Sequence, residues 1–509
     1  DPQKIELEGD VQDFNCESYK YIERLNLGNK NVSQIDEIEE KFPNLKNIQM
    51  QKPVISPEKI GGDCSKIFKL AKYMKFLNLA TNINQEDAQK YLSENGLTDK
   101  FALSSDGLCI INIDRIEEKQ TEPARLRINA NDVERIGLER LSTSSDKITL
   151  VINSVAELSN DMLKKYQEAG LSIEGIVVYS PENEQEQNAP YSVGEYAEIR
   201  DTLEELVEGI DLNASEKERF AEVYKRICSN ITYDVPAAYP LTNAQKEYSE
   251  LQETNCRNLR NGLLHGKCVC AGYADILRNA LSMVNIESKY IVGAVTDKVI
   301  SERFLKEEKY QGDYVDKKED GTVEVGGYHA WNKVKLDGKW YNVDATWDST
   351  RIRLGQTPTN CLKTDEEIKK KSQKVEFEGP ECVTPVSAVE IDKMFDSKHL
   401  YLGNFKLPNS KDIIAQVKLT GEVYKETGTF LKNMAIALKE KITGVFKSDK
   451  QLRLGSPNNK KNPTQSNTWD LNNWGIDSNE FMKKTKSITE NINNNYQTRE
   501  GKDNFENEK

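Results

Sequence analysis

The chain has 509 residues, a formal net charge of -13 at pH 7, and 37% hydrophobic against 30% charged residues. A chain of this length exceeds what one hydrophobic core supports, so we expect two to four domains. The acidic balance argues against a general nucleic-acid-binding protein, because phosphate contacts require clustered Lys and Arg. No apolar run approaches the roughly 20 residues that cross a bilayer, so we expect no membrane span.

Two indications about the compartment disagree. The chain begins at Asp1 instead of Met, as it would after removal of a leader, and this favours a secreted or cell-surface protein. The nine cysteines are scattered and odd in number, which does not predict a disulfide framework. Free thiols suit a reducing or anaerobic setting, so a cytoplasmic location stays open as well.

Residues 1–180 alternate short apolar stretches with polar helical ones. The pattern of Ile22, Leu25 and Leu27 returns 23 residues later in FPNLKNIQM. One strand and one helix per interval resembles a degenerate leucine-rich repeat, although the later intervals are irregular. Two interpretations of this α/β region stay open: a repeat-like surface that binds a protein partner, or an ordinary α/β domain. Further strands are predicted at 74–79, 108–113, 125–130, 148–153 and 173–179.

The rest of the chain divides at changes in composition. Polar, proline-containing residues at 180–192 predict a linker, and a helix after it opens with the capping-box residues Ser215 and Glu218. Residues 366–447 predict a C-terminal extension with an amphipathic helix. Residues 448–509, rich in Asn, Lys, Ser and Glu, predict a mostly disordered tail.

The stretch GKCVCAGYADILRNALSMV places a cysteine where a helix begins. Small residues around Cys270 suit a tight entry into the helix, and Tyr273, Leu277 and Leu281 form its buried stripe. The exposed N–H groups and the positive dipole end at a helix N-terminus favour the thiolate over the thiol. A thiolate at neutral pH is the form that a cysteine nucleophile requires.

A histidine and an aspartate follow in GYHAWNKVKLDGKWYNVDATWD. The dipeptide Asp337-Gly338 predicts a tight hairpin turn between two strands. Counting residues about this turn, His329 and Asp344 fall close together across the strands. A histidine held by a carboxylate keeps one tautomer, and its other nitrogen accepts a proton from a thiol. The sequence therefore predicts a Cys-His-Asp triad with Cys270 as the thiol.

These blocks resemble those of the transglutaminase-like superfamily. GKCVCAGYA is similar to the family's nucleophile motif, in which Ala follows four places after the Cys. Taking Cys268 as the nucleophile would put Gly272 at that Ala position, so Cys270 fits the motif better. YHAWNKVKLDGKWYNVDATWD resembles the His and Asp blocks, and SNITYD at 229–234 resembles a segment that precedes the Cys block in bacterial members.

The resemblance covers roughly residues 195–365, and we predict a catalytic domain at 193–365. It implies an α+β, papain-like domain with a Cys helix packed on an antiparallel sheet. It implies that Cys270 is the nucleophile, His329 the base and Asp344 the residue that orients the base, with no cofactor. Such enzymes attack protein or peptide amides through a thioester, which water hydrolyses or an amine resolves into a crosslink. We expect hydrolysis, by a peptidase or deamidase, because nothing in the sequence identifies a lysine-acceptor site. The alternative is a catalytically silent scaffold that binds proteins through its N-terminal region.

Four aromatic residues are candidates for further parts of the site. Tyr233 is a candidate oxyanion donor, since a side-chain donor upstream of the nucleophile is expected; its alternative role is core packing. Trp331, Trp340 and Trp347 are candidates for core positions and for the cleft wall, not for catalysis.

Two further features have competing interpretations. The long, charged stretch at 296–327 is either a lid beside the histidine or a solvated insertion. Cys256, His265, Cys268 and Cys270 could be drawn as a metal set, but Cys-x-Cys spacing is poor for structural zinc. We therefore expect no metal.

Overall fold

The computed structural model describes most of the chain up to residue 395. The described residues are 4–6, 17–28, 35–50, 54–55, 64–118, 123–143, 146–180, 189–238, 257–301, 314–317, 322–353, 356–371, 374–375 and 377–395. The amphipathic helix expected in the C-terminal extension and the tail expected at 448–509 lie outside them. None of the described helices combines the length and the apolar composition that a bilayer crossing requires.

Three small sheets follow one another in the N-terminal region. Their strands are β1 Lys4–Glu6, β2 Arg24–Gly28, β3 Asn47–Met50, β4 Val54–Ile55, β5 Phe76–Leu79, β6 Phe101–Leu103, β7 Cys109–Asn112, β8 Arg125–Asn129, β9 Lys147–Ile152 and β10 Ile173–Val178. The first sheet, β1-β2-β3, and the third, β10-β9-β8, are entirely parallel. In the second, β4 pairs with β5 in parallel, whereas β5, β7 and β6 pair antiparallel.

Helices connect these strands and pack against them. They are α1 Ile35–Lys41, α2 Cys64–Ala71, α3 Gln85–Glu94, α4 Val133–Ile136, α5 Leu138–Thr143 and α6 Asn160–Glu168. The 23-residue interval in the sequence agrees with the strand register, because Leu25 on β2 pairs with Ile48 on β3. The antiparallel strands β6 and β7 interrupt the strand–helix–strand series. The described strands therefore do not form a uniform leucine-rich repeat, and the repeat-like surface stays a prediction.

The hydrophobic core is continuous across the predicted linker. One cluster of buried side chains extends from Phe76 to Ile391, so it includes the third sheet and the helices that follow it. At this seam the Tyr196 hydroxyl donates to the carbonyl of Leu158 at 2.6 Å. Tyr191 pairs with Ile176 beside β10, which attaches the end of the predicted linker to the third sheet.

Five helices lead to the central sheet. They are α7 Val193–Val207, α8 Glu216–Asn230, α9 Val235–Ala238, α10 Leu259–His265 and α11 Cys270–Met283. Both α7 and α8 begin with a complete capping box, and the one at Ser215 and Glu218 is the one that the sequence predicts. A short parallel pair, β11 Thr232–Tyr233 and β12 Lys267–Cys268, lies between the helices.

The central sheet is antiparallel. Its strands are β13 Ser288–Ser301, β14 Tyr314–Lys317, β15 Thr322–Leu336, β16 Lys339–Val343 and β17 Lys374–Val375. They pair in the order β14-β15-β13-β17, and β16 pairs with β15 through the predicted turn at Asp337 and Gly338. Both turn residues have positive φ, 50° and 77°, as a tight hairpin requires. Helices α12 Ala345–Arg353, α13 Asp365–Lys371 and α14 Ala388–Met394 follow.

The charged stretch at 296–327 continues the central sheet. Thr296 pairs with Gly326 and Ser301 with Thr322, so the two arms of the stretch belong to β13 and β15. Gly326 and Gly327, at the end of the stretch next to the histidine, lie within this ladder and pair with Thr296 and Val295. Residues 302–313 and 318–321 lie outside the described parts of the chain, and the lid interpretation stays a prediction.

Candidate active site

The Cys270 helix, α11, begins where the short parallel pair ends. Gly266 closes the preceding helix in the left-handed conformation, with φ of 62°. Val269 is extended, and the helix starts at Cys270. Gly262 allows the preceding helix to approach closely, because a Cβ there would lie 2.7 Å from Ile276 Cδ1. This packing places the Cys270 thiol in the first helical turn, where the dipole favours a thiolate.

The thiol lies at a gap in the pairing of β15. On the side of β15 away from β13, the described pairs with β14 end at Gly326, and those with β16 begin at Asn332. Ala330 lies inside this gap, and its backbone N–H donates to the Cys270 sulfur. Asn332 also donates from its side chain to the carbonyl of Ala274, at 2.8 Å, which anchors the Cys270 helix to the sheet.

His329 lies between the thiol and a buried carboxylate. Its Nε2 is 2.7 Å from Oδ2 of Asp344, and its ring also hydrogen-bonds with Cys270. Because Nε2 faces the carboxylate, Nδ1 is the nitrogen left for the thiol. The side chains of His329 and Asp344 are 10% and 2% exposed, so this network is largely shielded from water. The structure therefore brings together the three residues predicted as a triad.

The three groups shift one another's pKa values. Burial acts to raise the pKa of Cys270, but the His329 ring and the Ala330 N–H outweigh it, so that pKa lies below its ordinary value. Burial acts to lower the pKa of His329, but Asp344 and Cys270 outweigh burial and raise this pKa to about 9. These opposite shifts favour a thiolate beside an imidazolium at neutral pH.

Sequence reasoning missed Lys374, a buried cation at the same carboxylate. Its Nζ lies 2.7 Å from Oδ2 of Asp344, and its side chain is 1% exposed. Burial acts to raise the pKa of Asp344, but Lys374 and then His329 outweigh it and hold that pKa far below its ordinary value. No spacing pattern in the sequence pointed to this lysine, which lies beyond the predicted domain boundary at residue 365.

Two of the three predicted tryptophans lie beside His329. The ring of Trp347 is 5.4 Å and that of Trp331 6.2 Å from the imidazole. Trp340 is opposite Lys335 near the hairpin turn. Since Lys335 lies six residues along β15 from His329, about 20 Å at strand spacing, Trp340 is remote from the histidine.

Trp331 contacts residues of both strands that flank β15. Its indole N–H donates to Asn342 at 3.0 Å, and its side chain is buried. Gly293, opposite His329, makes room for the ring: a Cβ there would lie 2.6 Å from Trp331 Cη2. The glycine is therefore required by close approach, and a larger residue would displace the indole next to the histidine.

Tyr233 lies close to the nucleophile helix. It pairs with Cys268 between β11 and β12 and is half-buried. It packs against the same small apolar cluster as Cys270, which includes Val269 and Ala330. This position is compatible with either predicted role, oxyanion donor or core residue.

Four of the other described cysteines differ clearly from Cys270. Burial raises the pKa values of Cys109, Cys228, Cys361 and Cys382, all of which are also buried. Cys270, by contrast, is partly exposed. Of the four residues weighed as a metal set, Cys256 lies outside the described residues. Within the described residues no three His, Cys, Asp or Glu side chains are grouped as a metal site would require.

Comparison with known proteins matches the same part of the chain. Residues 204–345 match the family model of the transglutaminase-like superfamily. Similar curated proteins are the kyphoscoliosis peptidases of Mus musculus, 27% identical over 153 residues, and Homo sapiens, 26% identical over 149 residues. The alignments cover 30% and 29% of this chain but 19% and 18% of the relatives. The chain thus spans about a fifth of the length of these curated relatives.

Two solved structures overlap with parts of the chain. One, described as a TGase, is 20% identical, has a TM-score of 0.20, and covers 30% of this chain and 31% of its own. The other, from Cytophaga hutchinsonii and provisionally described as a cysteine protease, is 15% identical with a TM-score of 0.18, covering 36% and 47%. TM-scores this low do not bear on fold or function.

Proposed function

We propose that this chain, whose residues 204–345 match the transglutaminase-like family model, is a thiol acyl-transfer enzyme that acts on protein or peptide amides. Cys270 is the nucleophile, His329 the base and Asp344 the residue that orients the base. The observation that supports this most is the position of one imidazole between a thiol and a buried carboxylate 2.7 Å from its Nε2. A merely structural histidine does not require both partners.

The proposed reaction has two halves. The Cys270 thiolate attacks the carbonyl carbon of an amide, and backbone N–H groups at the start of the helix stabilise the oxyanion. His329, as an imidazolium, gives its proton to the departing amine, and a thioester remains on Cys270. His329 then removes a proton from water as the water attacks the thioester, and release of the acid restores the Cys270 thiolate beside the His329 imidazolium. Asp344 stays ionised and stabilises the imidazolium throughout.

Tyr233 is proposed as a further donor to the oxyanion. Its place beside the apolar cluster of Cys270 supports this role. A Tyr233→Phe variant should keep its fold and lose about 100-fold in kcat/KM, the typical cost of one oxyanion donor. An unchanged kcat/KM would leave Tyr233 as a packing residue.

We infer that hydrolysis, as a peptidase or deamidase, is the outcome, because nothing in the sequence identifies a site for an acceptor lysine. The N-terminal region is proposed to recognise the protein substrate through a repeat-like surface. Its third sheet shares a core with the Cys270 helix, which supports a joint role in placing the substrate.

The test distinguishes the three possible products. The intact chain is incubated with a mixture of unfolded proteins in water enriched in oxygen-18, with a biotinylated primary amine present. Mass spectrometry then reports new peptide termini for a peptidase, labelled Glu in place of Gln for a deamidase, and biotin for a crosslinking enzyme. We expect one of the two hydrolytic products.

The matched controls are alanine variants of two neighbouring cysteines. Cys270→Ala should abolish every product, whereas Cys268→Ala should retain them, because Cys268 is fully buried in the core. Products that persist in Cys270→Ala would contradict the proposal. No product from the wild type would support the alternative of a silent scaffold.

A further inference from the structure

We propose that Lys374 is a positioning residue of this site. Its buried ammonium fixes the Asp344 carboxylate against His329 and offsets part of that carboxylate's charge. The inference rests on the proposed function, because a positioning role has meaning only if His329 and Cys270 react. It concerns a residue outside the matched family segment and outside the three residues of the triad.

The surroundings of Lys374 restrict its ammonium to one place. Nζ lies 2.7 Å from Oδ2 of Asp344, 4.0 Å from the ring centroid of Trp347 and 5.4 Å from that of Trp331. Stacked cations of this kind gain from the negative face of the aromatic ring. A lysine that is 1% exposed and paired in this way cannot be an incidental surface charge.

The same two rings flank the histidine. Trp347 and Trp331 lie 5.4 Å and 6.2 Å from the His329 ring. Lys374 therefore packs behind the imidazole and the carboxylate as part of one buried group. Strand β17 places it there, because Lys374 pairs with Val295 on β13.

Both cations share a single carboxylate oxygen. Nε2 of His329 and Nζ of Lys374 each lie 2.7 Å from Oδ2, so they are at most about 5.4 Å apart. The second carboxylate oxygen, Oδ1, accepts from the backbone N–H of Trp347 at 3.2 Å. The carboxylate is thus held at both oxygens and cannot rotate away from the imidazole without breaking a buried contact.

This geometry has an electrostatic consequence. An imidazolium near an ammonium is disfavoured, so Lys374 limits how far Asp344 can stabilise the charged His329. At the largest separation, about 5.4 Å, and an effective dielectric constant of about 20, the repulsion corresponds to about two pH units, and a shorter separation increases it. Without Lys374, His329 should hold its proton to higher pH, so the imidazolium beside the thiolate should persist to higher pH.

In the part of the chain that the structure describes, few ionisable groups surround His329. Cys270 on the Cys270 helix and Asp344 after β16 contact it directly, and Lys374 on β17 lies on the other side of the shared Asp344 oxygen. Asp348 on α12 lies behind Asp344 and interacts with it electrostatically. A Lys374→Met variant removes one of these charges and keeps the other three groups, so the variant isolates the effect of the ammonium.

The experiment follows the histidine titration directly. The chain has three histidines, so NMR of histidine labelled with carbon-13 in the ring gives three signals, and His329→Ala assigns the one of interest. We expect Lys374→Met to raise the titration midpoint of His329 by about one pH unit or more. Lys374→Arg keeps the charge and should leave the midpoint within about half a unit of the wild type.

A second readout separates this role from a structural one. The pH profile of Cys270 alkylation should shift upwards in Lys374→Met but not in Lys374→Arg. An unchanged His329 midpoint in Lys374→Met would overturn the inference, whatever happens to activity. If Lys374→Met does not fold, a shift of the midpoint in Lys374→Arg by more than one unit would also overturn it. The titration needs no turnover, so a failure of the proposed function would appear separately, as ordinary Cys270 reactivity in the wild type.

Discussion

Two buried lysine–aspartate pairs lie in different regions of the molecule. In the N-terminal region, Lys75 Nζ is 2.5 Å from Asp146 Oδ2, with side chains 3% and 2% exposed. In the central sheet, Lys374 Nζ is 2.7 Å from Asp344 Oδ2, with side chains 1% and 2% exposed. Distance and burial alone do not distinguish the pairs.

The further contacts of each pair do distinguish the two pairs. Asp146 accepts from the backbone N–H of Ala124, and Lys75 donates to the backbone carbonyl of Glu118. These contacts connect the Lys75–Asp146 pair to backbone groups, which do not titrate. Asp344 instead contacts His329, which contacts a thiol. A buried ion pair is therefore weak evidence for function until a titratable partner links it to a nucleophile.

Removing the carboxylate near the thiol should have the largest effect. Asp344→Ala leaves Lys374 buried without a counterion, so we expect a loss of about 3–5 kcal/mol in the free energy of unfolding. It also removes the group that orients His329, so alkylation of Cys270 should slow by about 100-fold or more. Denaturant unfolding and alkylation kinetics on the folded fraction measure the two effects. An unchanged rate of Cys270 alkylation would contradict the functional distinction between the two lysine–aspartate pairs.

The matched change in the N-terminal pair should affect stability alone. Asp146→Ala leaves Lys75 buried without a counterion, with an expected loss of about 3–5 kcal/mol in the free energy of unfolding. Alkylation of Cys270 in the folded protein should stay within about twofold of the wild type. A variant that folds but alkylates as slowly as Asp344→Ala would show that this pair also supports the thiol.

The pH dependence of stability gives the next largest effect. The pKa of His329 is raised to about 9, above its value of about 6.5 in the unfolded chain. The stability from this shift is fully present below pH 6.5 and is lost as pH rises through 9. We expect the difference in unfolding free energy between wild type and His329→Ala to shrink by about 2–3 kcal/mol over this interval. A difference that does not change with pH would contradict the shift.

A smaller effect belongs to the seam between the N-terminal region and the Cys270 helix. Asn279, buried on that helix, accepts from the backbone N–H of Val155 at 3.0 Å. Asn279→Ala should lower the free energy of unfolding by about 1–2 kcal/mol, since it leaves this N–H without its acceptor. Asn131→Ala removes an exposed hydrogen bond to Glu157 and should change it by less than about 0.5 kcal/mol. Equal effects would contradict a buried seam.

Local signals explain what could be predicted from the sequence. The helix start at Cys270, the capping box at Ser215 and the turn at Asp337 each depend on a few adjacent residues, and the structure contains all three. The closeness of His329 to Asp344 follows from counting residues about that turn. Periodicity and turn chemistry are sufficient for contacts of this range.

The missed features join residues that are distant in the chain. Lys374 reaches Asp344 across 30 positions, and Asn279 reaches Val155 across 124, with no repeating pattern to indicate either contact. The position of Trp340 could not be predicted for a related reason. Its residue type suggests the cleft wall, but the strand register places it beside the hairpin turn. Tertiary packing, not local preference, decides all three.

The central claim is that one imidazole activates one thiol. The most direct test is alkylation by iodoacetamide at neutral pH, with mass spectrometry of every cysteine, in wild type and His329→Ala. The account predicts fast labelling confined to Cys270, slowed by about 100-fold or more in the variant. Slow and indiscriminate labelling of the cysteines in both proteins would contradict it and leave the chain as a binding protein.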